Sequence, residues 1–260
     1  MNKRIGDDAP LHEMNPTGRF SDRAADYVKF RPGYPDAALD AILSGLSPQE
    51  LIAADVGAGT GISSRILASR GVRVHAVEPN TAMVAAAAPH PLVTWHSATA
   101  ESTGLEAGSV DLVLCAQSFH WMRQPEALRE FHRILKRGGR LALMWNERDP
   151  SDSVMAAYRD AILSVGGGHP TETREFDPSV VDASGFFRPL RPLLEVPSSQ
   201  QLDERGLIGR AQSASYAPKS GPEGERLVRR LRELFVEFKD SDGQITLKYT
   251  TRVWLYQRTG

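Results

Sequence analysis

The chain has 260 residues, with 31 Lys plus Arg against 32 Asp plus Glu and a formal charge of −1. It is long enough for one large domain with a ligand-sized cavity, or two small ones, and it lacks the single-sign field of a nonspecific nucleic-acid binder. With 41% hydrophobic residues, 22 Gly and 17 Pro it is an ordinary globular chain, and its lone cysteine, Cys115, excludes an intrachain disulfide and fits a reducing cytoplasm.

Residues 1–17 mix Lys3, Arg4, Asp7, Asp8 and Glu13 and lack the apolar stretch of a secretory signal, so residues 1–19 are expected to be a flexible segment without an export role. No run of about 18 apolar residues occurs, so no membrane span is expected. Short apolar runs at 51–56, 72–77, 92–95, 110–116 and 141–145 predict five buried strands. Between them, Ile62, Ile66 and Leu67 before Gly71, and Ala127, Leu128, Phe131, Ile134 and Leu135 before Gly138 and Gly139, have helical spacing. The glycines fall where a helix C-terminus needs a left-handed residue. Buried strands alternating with helices predict an α/β, doubly wound, parallel sheet with helices on both faces.

Beyond Asn146 the pattern changes. A helix is expected over about 152–166, ended by Gly166, Gly167 and Gly168, and residues 170–192 are rich in Pro, Gly and Thr. Further helices are expected over 203–214 and 225–239, the latter with Leu227, Leu231, Leu234, Phe235 and Phe238 on one face. The alternation of β-branched and aromatic residues from 244 to 258 predicts one or two closing strands.

The chemistry concentrates at residues 54–61, Ala-Asp-Val-Gly-Ala-Gly-Thr-Gly, which follow the first strand and open the first helix. Unpaired backbone N–H groups are expected to face a crevice there, and glycines at alternate positions remove the Cβ atoms that would hold a ligand away. A dinucleotide fingerprint needs Gly or Ala where Ile62 stands, and the Gly-Lys-Ser/Thr of a P-loop is absent. Glu78, at the end of the second strand and 23 positions after Asp55, suits two ribose hydroxyls.

Together with Val77-Glu78-Pro79-Asn80, Met83, the Ala98-Thr99-Ala100-Glu101 stretch, Ser109 to Val113 and the following Ala116-Gln117-Ser118-Phe119-His120-Trp121, this turn resembles the class I S-adenosylmethionine-dependent methyltransferases. Phe20-Ser21 through Tyr27 to Arg31-Pro32-Gly33-Tyr34-Pro35 resembles the N-terminal lid of the branch that includes trans-aconitate methyltransferase-like, small-molecule enzymes. The resemblance implies a Rossmann-like, mostly parallel seven-stranded sheet with a helical cap. It also implies one domain over 20–260, with a cofactor-binding half at 20–147, acceptor-side helices at 148–243 and closing strands at 244–260. S-adenosyl-L-methionine is the implied cofactor. Its implied contacts are Asp55, Gly57, Ala58, Gly59, Thr60 and Gly61 at the turn, and Glu78 at the ribose. Pro79, Met83, Thr99, Ala100 and Glu101 would surround the adenine, and Gln117 and Ser118 the methionine portion, with Tyr27 and Arg31 reaching in from the lid.

Methyl transfer from a sulfonium is an in-line displacement governed by placement, and aromatic faces stabilise the sulfonium; Tyr27, Tyr34, Phe119 and Trp121 are the candidates. His120 has the pKa range of a general base. Tyr34, Trp121 and Tyr216, with Arg210, Ser213 and Ser215, are candidates for the acceptor side. His90 and His96 lack metal-ligand spacing with any acidic or cysteine partner, so no metal site is expected. The expected partner is a small-molecule acceptor rather than nucleic acid or membrane, and the protein is expected to be a monomer or homodimer. Two alternatives stay open: a cofactor-binding regulatory protein without turnover, and an NAD-dependent oxidoreductase.

Overall fold

The structure, a computed structural model, describes residues 23–166, 176–214 and 216–260. The expectations for residues 1–19, for Phe20 and Ser21, for Gly167 and Gly168, for residues 170–175 and for Ser215 lie outside the described residues.

Five apolar segments form the parallel half of the sheet: β1 (Ile52–Val56), β2 (Arg73–Val77), β3 (Val93–His96), β4 (Val110–Ala116) and the start of the long β5 (Leu135–Arg148). The strand order is β3-β2-β1-β4-β5-β8-β6, with β7 also on β8, and the pairs among β1 to β5 are parallel. Strand β8 (Ile245–Arg258) runs antiparallel to β5, and its other edge pairs with β7 (Leu194–Leu202) and then β6 (Phe187–Pro189). Among the described residues the sheet therefore has eight strands rather than seven, and the closing region is one strand.

Alternation along the strands explains the helices on both faces. Ala53, Leu112, Leu114 and Ala142 point to one side, where α2 (Asp36–Leu43) and α3 (Ile62–Ser69) bring Leu39, Ile42 and Leu67. Ala54, Val113, Cys115 and Leu141 point to the other, where α5 (Gln124–Ile134) brings Leu128, Phe131 and Ile134. Each such large side chain removed from water contributes about 1.5–3 kcal/mol. A third cluster joins α6 (Ser153–Gly166), α8 (Glu204–Gln212) and α9 (Gly221–Phe238) to Ile245, Leu247 and Tyr249 of β8. The helices expected over 152–166, 203–214 and 225–239 are thus present with slightly different ends.

Two expectations are corrected. Gly71 does follow α3 in the left-handed region, with φ +93°, but Gly138 and Gly139 do not end α5. That helix passes straight into β5 through the extended Leu135, and the glycines lie where the β4–β5 register shifts between Val110 and Leu112. A Cβ on Gly139 would stand 2.9 Å from Lys136 O and 3.1 Å from Asp111 O, so the glycine serves a close backbone approach within the sheet. Strand β7 was not anticipated: Leu-Glu-Val-Pro-Ser-Ser-Gln-Gln-Leu is mostly polar and contains Pro197, which an edge strand tolerates.

Candidate active site

At the end of β1 the chain turns through Gly57, Gly59 and Gly61, with φ of +70°, +58° and +75°. A Cβ at Gly57 would lie 2.5 Å from Ser118 Cβ, and one at Gly59 would lie 3.3 Å from Met83 Cε. The left-handed φ favours glycine at both, and at Gly57 the approach of Ser118 also leaves no room for a Cβ. The expectation of free amides is corrected, because Gly57 N and Ala58 N donate to Val77 O, Gly61 N to Ala58 O and Gly59 N to Glu78 Oε2. The turn therefore offers a surface stripped of Cβ atoms at Gly57 and Gly59 more than a row of donors.

Asp55 lies beneath the turn. Its Oδ2 accepts from Ser63 Oγ at 2.7 Å and Ser64 Oγ at 2.6 Å, tying β1 to the first turn of α3. Its Oδ1 is buried without a partner. Burial lifts the Asp55 pKa to about 6 against the opposing pull of the serine bonds. Thr60 is buried, with its carbonyl accepting from Arg65 Nη1 at 2.7 Å, and Gly61 packs under the Trp95 ring. Asp55, Thr60 and Gly61 thus shape the turn from behind and do not line the cavity in front of it.

That cavity, of about 370 Å³, opens where the strand order reverses between β1 and β4, the usual ligand position in such sheets. Gly57, Ala58 and Gly59 form one wall. Glu78, just past β2, accepts from Gly59 N at 2.8 Å and Asn80 N at 2.9 Å, so both carboxylate oxygens are held in place. Burial raises its pKa, opposed by these two amide bonds. Asn80 caps the short α4 (Thr81–Ala85) by accepting from Ala82 N and Met83 N, which sets Met83 beside Pro79 on the lining. Thr99, Ala100 and Glu101 line the same end, and Glu101 Oε1 accepts from Arg123 N at 2.8 Å.

Beyond β4, Gln117 adopts a left-handed conformation, φ +60°, unusual for a residue with a side chain. Its amide donates to Met144 O and its Nε2 to Asn146 O, while Ser118 Oγ donates to Val56 O at 2.7 Å and stitches β4 to β1. Gln117, Ser118 and Trp121 reach the cavity. His120 does not line it: its Nδ1 accepts from Trp145 Nε1 at 3.2 Å and its ring packs against Trp121. Phe119 is fully buried, against Phe131 and Phe176.

The cover comes from α1 (Ala24–Phe30) and α8. Tyr27, Arg31 and Tyr34 line the cavity, and the Arg31 guanidinium lies 4.6 Å from the centre of the Tyr27 ring. Burial, then the charge of Arg210, pulls the Arg31 pKa down, and burial raises the Tyr34 phenol. Arg23 Nη1 donates to the carbonyls of Gln212, Ala214 and Ala217, and Arg31 Nη2 donates to Ser213 O, so two guanidiniums hold the C-terminal end of α8. Phe30 fits over Gly209, where a Cβ would stand 2.3 Å from its ring. Tyr216 lies off the cavity, its hydroxyl accepting from Arg148 Nη2 at 3.1 Å, and Ser213 Oγ donates to Arg210 O.

Arg210 lines the cavity as anticipated, but Pro32, Ile62, Ser63, Asn80, Ala116, Met122, Arg123 and Asn146 were not anticipated there. Ile62 and Ser63 continue the glycine turn and Asn80 is a helix cap after Glu78, so a local signal existed for those three. Asn146 and Arg123 arrive through the sheet and the Glu101 contact. Among the described residues no group of three or more His, Cys, Asp or Glu could hold a metal, and no helix is long and apolar enough to cross a membrane.

A parallel sheet continued by antiparallel β8, with a glycine turn and an acid facing its switch point, defines a doubly wound, Rossmann-like α/β domain. Residues 54–143 match the family model described as "Methyltransferase domain". An uncharacterized methyltransferase-like protein of Schizosaccharomyces pombe is 41% identical over 133 residues, 50% of this chain and 52% of the relative. The chain thus spans about half the length of this relative and of others that it matches. A Dictyostelium discoideum protein named as a methyltransferase is 26% identical over 238 residues, covering 88% of this chain and 89% of the relative. A solved structure of a candidate type II methyltransferase from Anaeromyxobacter dehalogenans shares the fold, with a TM-score of 0.63 and 24% identity over 88% of this chain and 97% of its own.

Proposed function

We propose that the protein is an S-adenosyl-L-methionine-dependent methyltransferase acting on a small-molecule acceptor in the cytoplasm, in the branch resembling trans-aconitate methyltransferase-like proteins. The observation that supports this best is Glu78. Its two oxygens are fixed by backbone amides at the cavity wall and each keeps acceptor capacity for a ribose hydroxyl. The space a Cβ on Gly59 would fill, between Met83 and Tyr27, suits the adenosine and methionine portions of the same ligand.

When bound, the cofactor supplies an electrophilic methyl group on a positively charged sulfur. The chain does the rest by placement. Pro79, Met83, Thr99, Ala100 and Glu101 would hold the base, Gly57 to Gly59 with Gln117 and Ser118 would hold the amino-acid portion, and Arg31 would meet its carboxylate. Tyr27, Tyr34 and Trp121 supply aromatic faces that favour positive charge and exclude water. His120, with Nδ1 engaged by Trp145 and its ring off the cavity, is left as an aromatic packing group rather than a base. Ile62 lines the cavity where a dinucleotide needs Gly or Ala, which disfavours the nicotinamide alternative.

Isothermal titration of the protein with S-adenosylmethionine and S-adenosylhomocysteine tests the reading. Saturable one-site binding is expected. No heat at millimolar ligand, together with binding of NAD, would overturn it.

A further inference from the structure

Arg210 is 4% exposed, yet it lines the cavity, supplied by α8. Its Nε and Nη1 are buried with no hydrogen-bond partner, and so is Nε of Arg31. The titratable groups that act on the two guanidiniums are each other, Arg148, and the phenols of Tyr27, Tyr158 and Tyr249. Among the described residues no carboxylate is one of them. Phenols are neutral near pH 7, and burial moves Tyr158 further from ionising. Burial works against both charges; it pulls Arg31 down, whereas the Tyr249 and Tyr158 phenols hold Arg210 up, and the carboxylates that line the same cavity, Glu78 and Glu101, act on neither guanidinium. A planar guanidinium with unused N–H groups is the side chain best matched to a carboxylate or a phosphate.

We infer that Arg210 is the residue that selects the acceptor: the small molecule to be methylated carries a carboxylate or phosphate that docks on the unpartnered N–H groups of Arg210 inside the cavity. The inference rests on the methyltransferase reading, in which Arg31 serves the carboxylate of the cofactor. It makes the acceptor anion and the cofactor carboxylate two separate ligands of neighbouring arginines. Arg210 suits the acceptor because α8 belongs to the segment beyond the cofactor-binding strands.

The test uses the full chain, with and without saturating S-adenosylhomocysteine, and three size-matched probes: benzoate, phenyl phosphate and neutral benzamide. Thermal unfolding is expected to rise by several degrees with either anion and not with benzamide. Arg210→Met is expected to abolish the anion response, keep S-adenosylhomocysteine affinity within about twofold, and raise the melting temperature of the unliganded protein, because an unpaired buried charge is gone. Arg210→Lys is expected to keep part of the anion response. Equal stabilisation by benzamide, or an anion response that survives Arg210→Met, would overturn the inference. So would a tenfold or greater loss of S-adenosylhomocysteine affinity, which would assign Arg210 to the cofactor, or a melting temperature lowered by Arg210→Met, which would make it a packing residue. If the wild type fails to bind S-adenosylhomocysteine, the methyltransferase reading fails, while the anion response of the unliganded protein still decides the role of Arg210.

Discussion

Replacing Glu78 by glutamine separates the two tasks the carboxylate performs. In the wild type its oxygens accept from Gly59 N at 2.8 Å and Asn80 N at 2.9 Å, so both face backbone donors. A glutamine oxygen can meet only one of these amides, and its NH2 must turn a donor toward the other. One buried N–H is then unsatisfied, at about 1–3 kcal/mol. Ribose hydroxyls also lose a charged acceptor, so affinity for S-adenosylhomocysteine should fall by about 1.5–3 kcal/mol, roughly 10- to 150-fold in Kd. Calorimetric titration gives the affinity and urea unfolding gives the stability of the unliganded protein. Both should fall. Unchanged affinity would refute the ribose assignment, and weakened binding with full stability would refute the claim that this carboxylate braces the turn.

Gly59→Val should abolish cofactor binding, because its Cβ enters contact with Met83 at a left-handed φ, and the left-handed conformation should cost about 1–2 kcal/mol of stability; near-normal affinity in a protein with a native circular dichroism spectrum would contradict this. Asp55, raised from 3.8 to about 6, binds its proton more tightly folded than unfolded. Its contribution to stability is complete below about pH 4 and is lost as pH rises through about 6, so Asp55→Asn should gain on the wild type by up to roughly 3 kcal/mol between those values. A wild-type-to-variant difference that stays flat across pH-dependent denaturation would count against it. Gly209→Ala, despite a helix-propensity gain near 1 kcal/mol, should lower both the melting temperature and cofactor affinity, since the Phe30 ring must move and overpacking costs about 1–3 kcal/mol; a stabilised variant would show that α1 does not press on α8.

The parallel half of the sheet was legible because β1, β4 and residues 141–145 of β5 are short runs buried on both faces and β2 and the edge strand β3 are short apolar runs beside them, and the turn with Glu78 was legible because glycine spacing and one acid are local. What failed was non-local. The amides of Gly57 and Ala58 are consumed by Val77 O on the neighbouring strand, a partner that no inspection of the turn reveals. Gly138 and Gly139 follow an amphipathic helix and imitate its cap, but their reason is the approach of Asp111 across the sheet. Strand β7 escaped because its edge position leaves little apolar signal. His120 illustrates the limit of residue type as an argument: its place after β4 was foreseeable, whereas the turn of its ring toward Trp145 was not.

The joint between Phe30 and Gly209, with Arg23 and Arg31 latched on the end of α8, makes one shutter from segments nearly two hundred positions apart in the chain. Tyr27 and Arg31 ride on one half of it and Arg210 on the other. Swinging either half outward drags the second or breaks the latch. On the methyltransferase reading, departure of spent nucleoside and release of product would be mechanically linked, and turnover would run at the pace of a single gate.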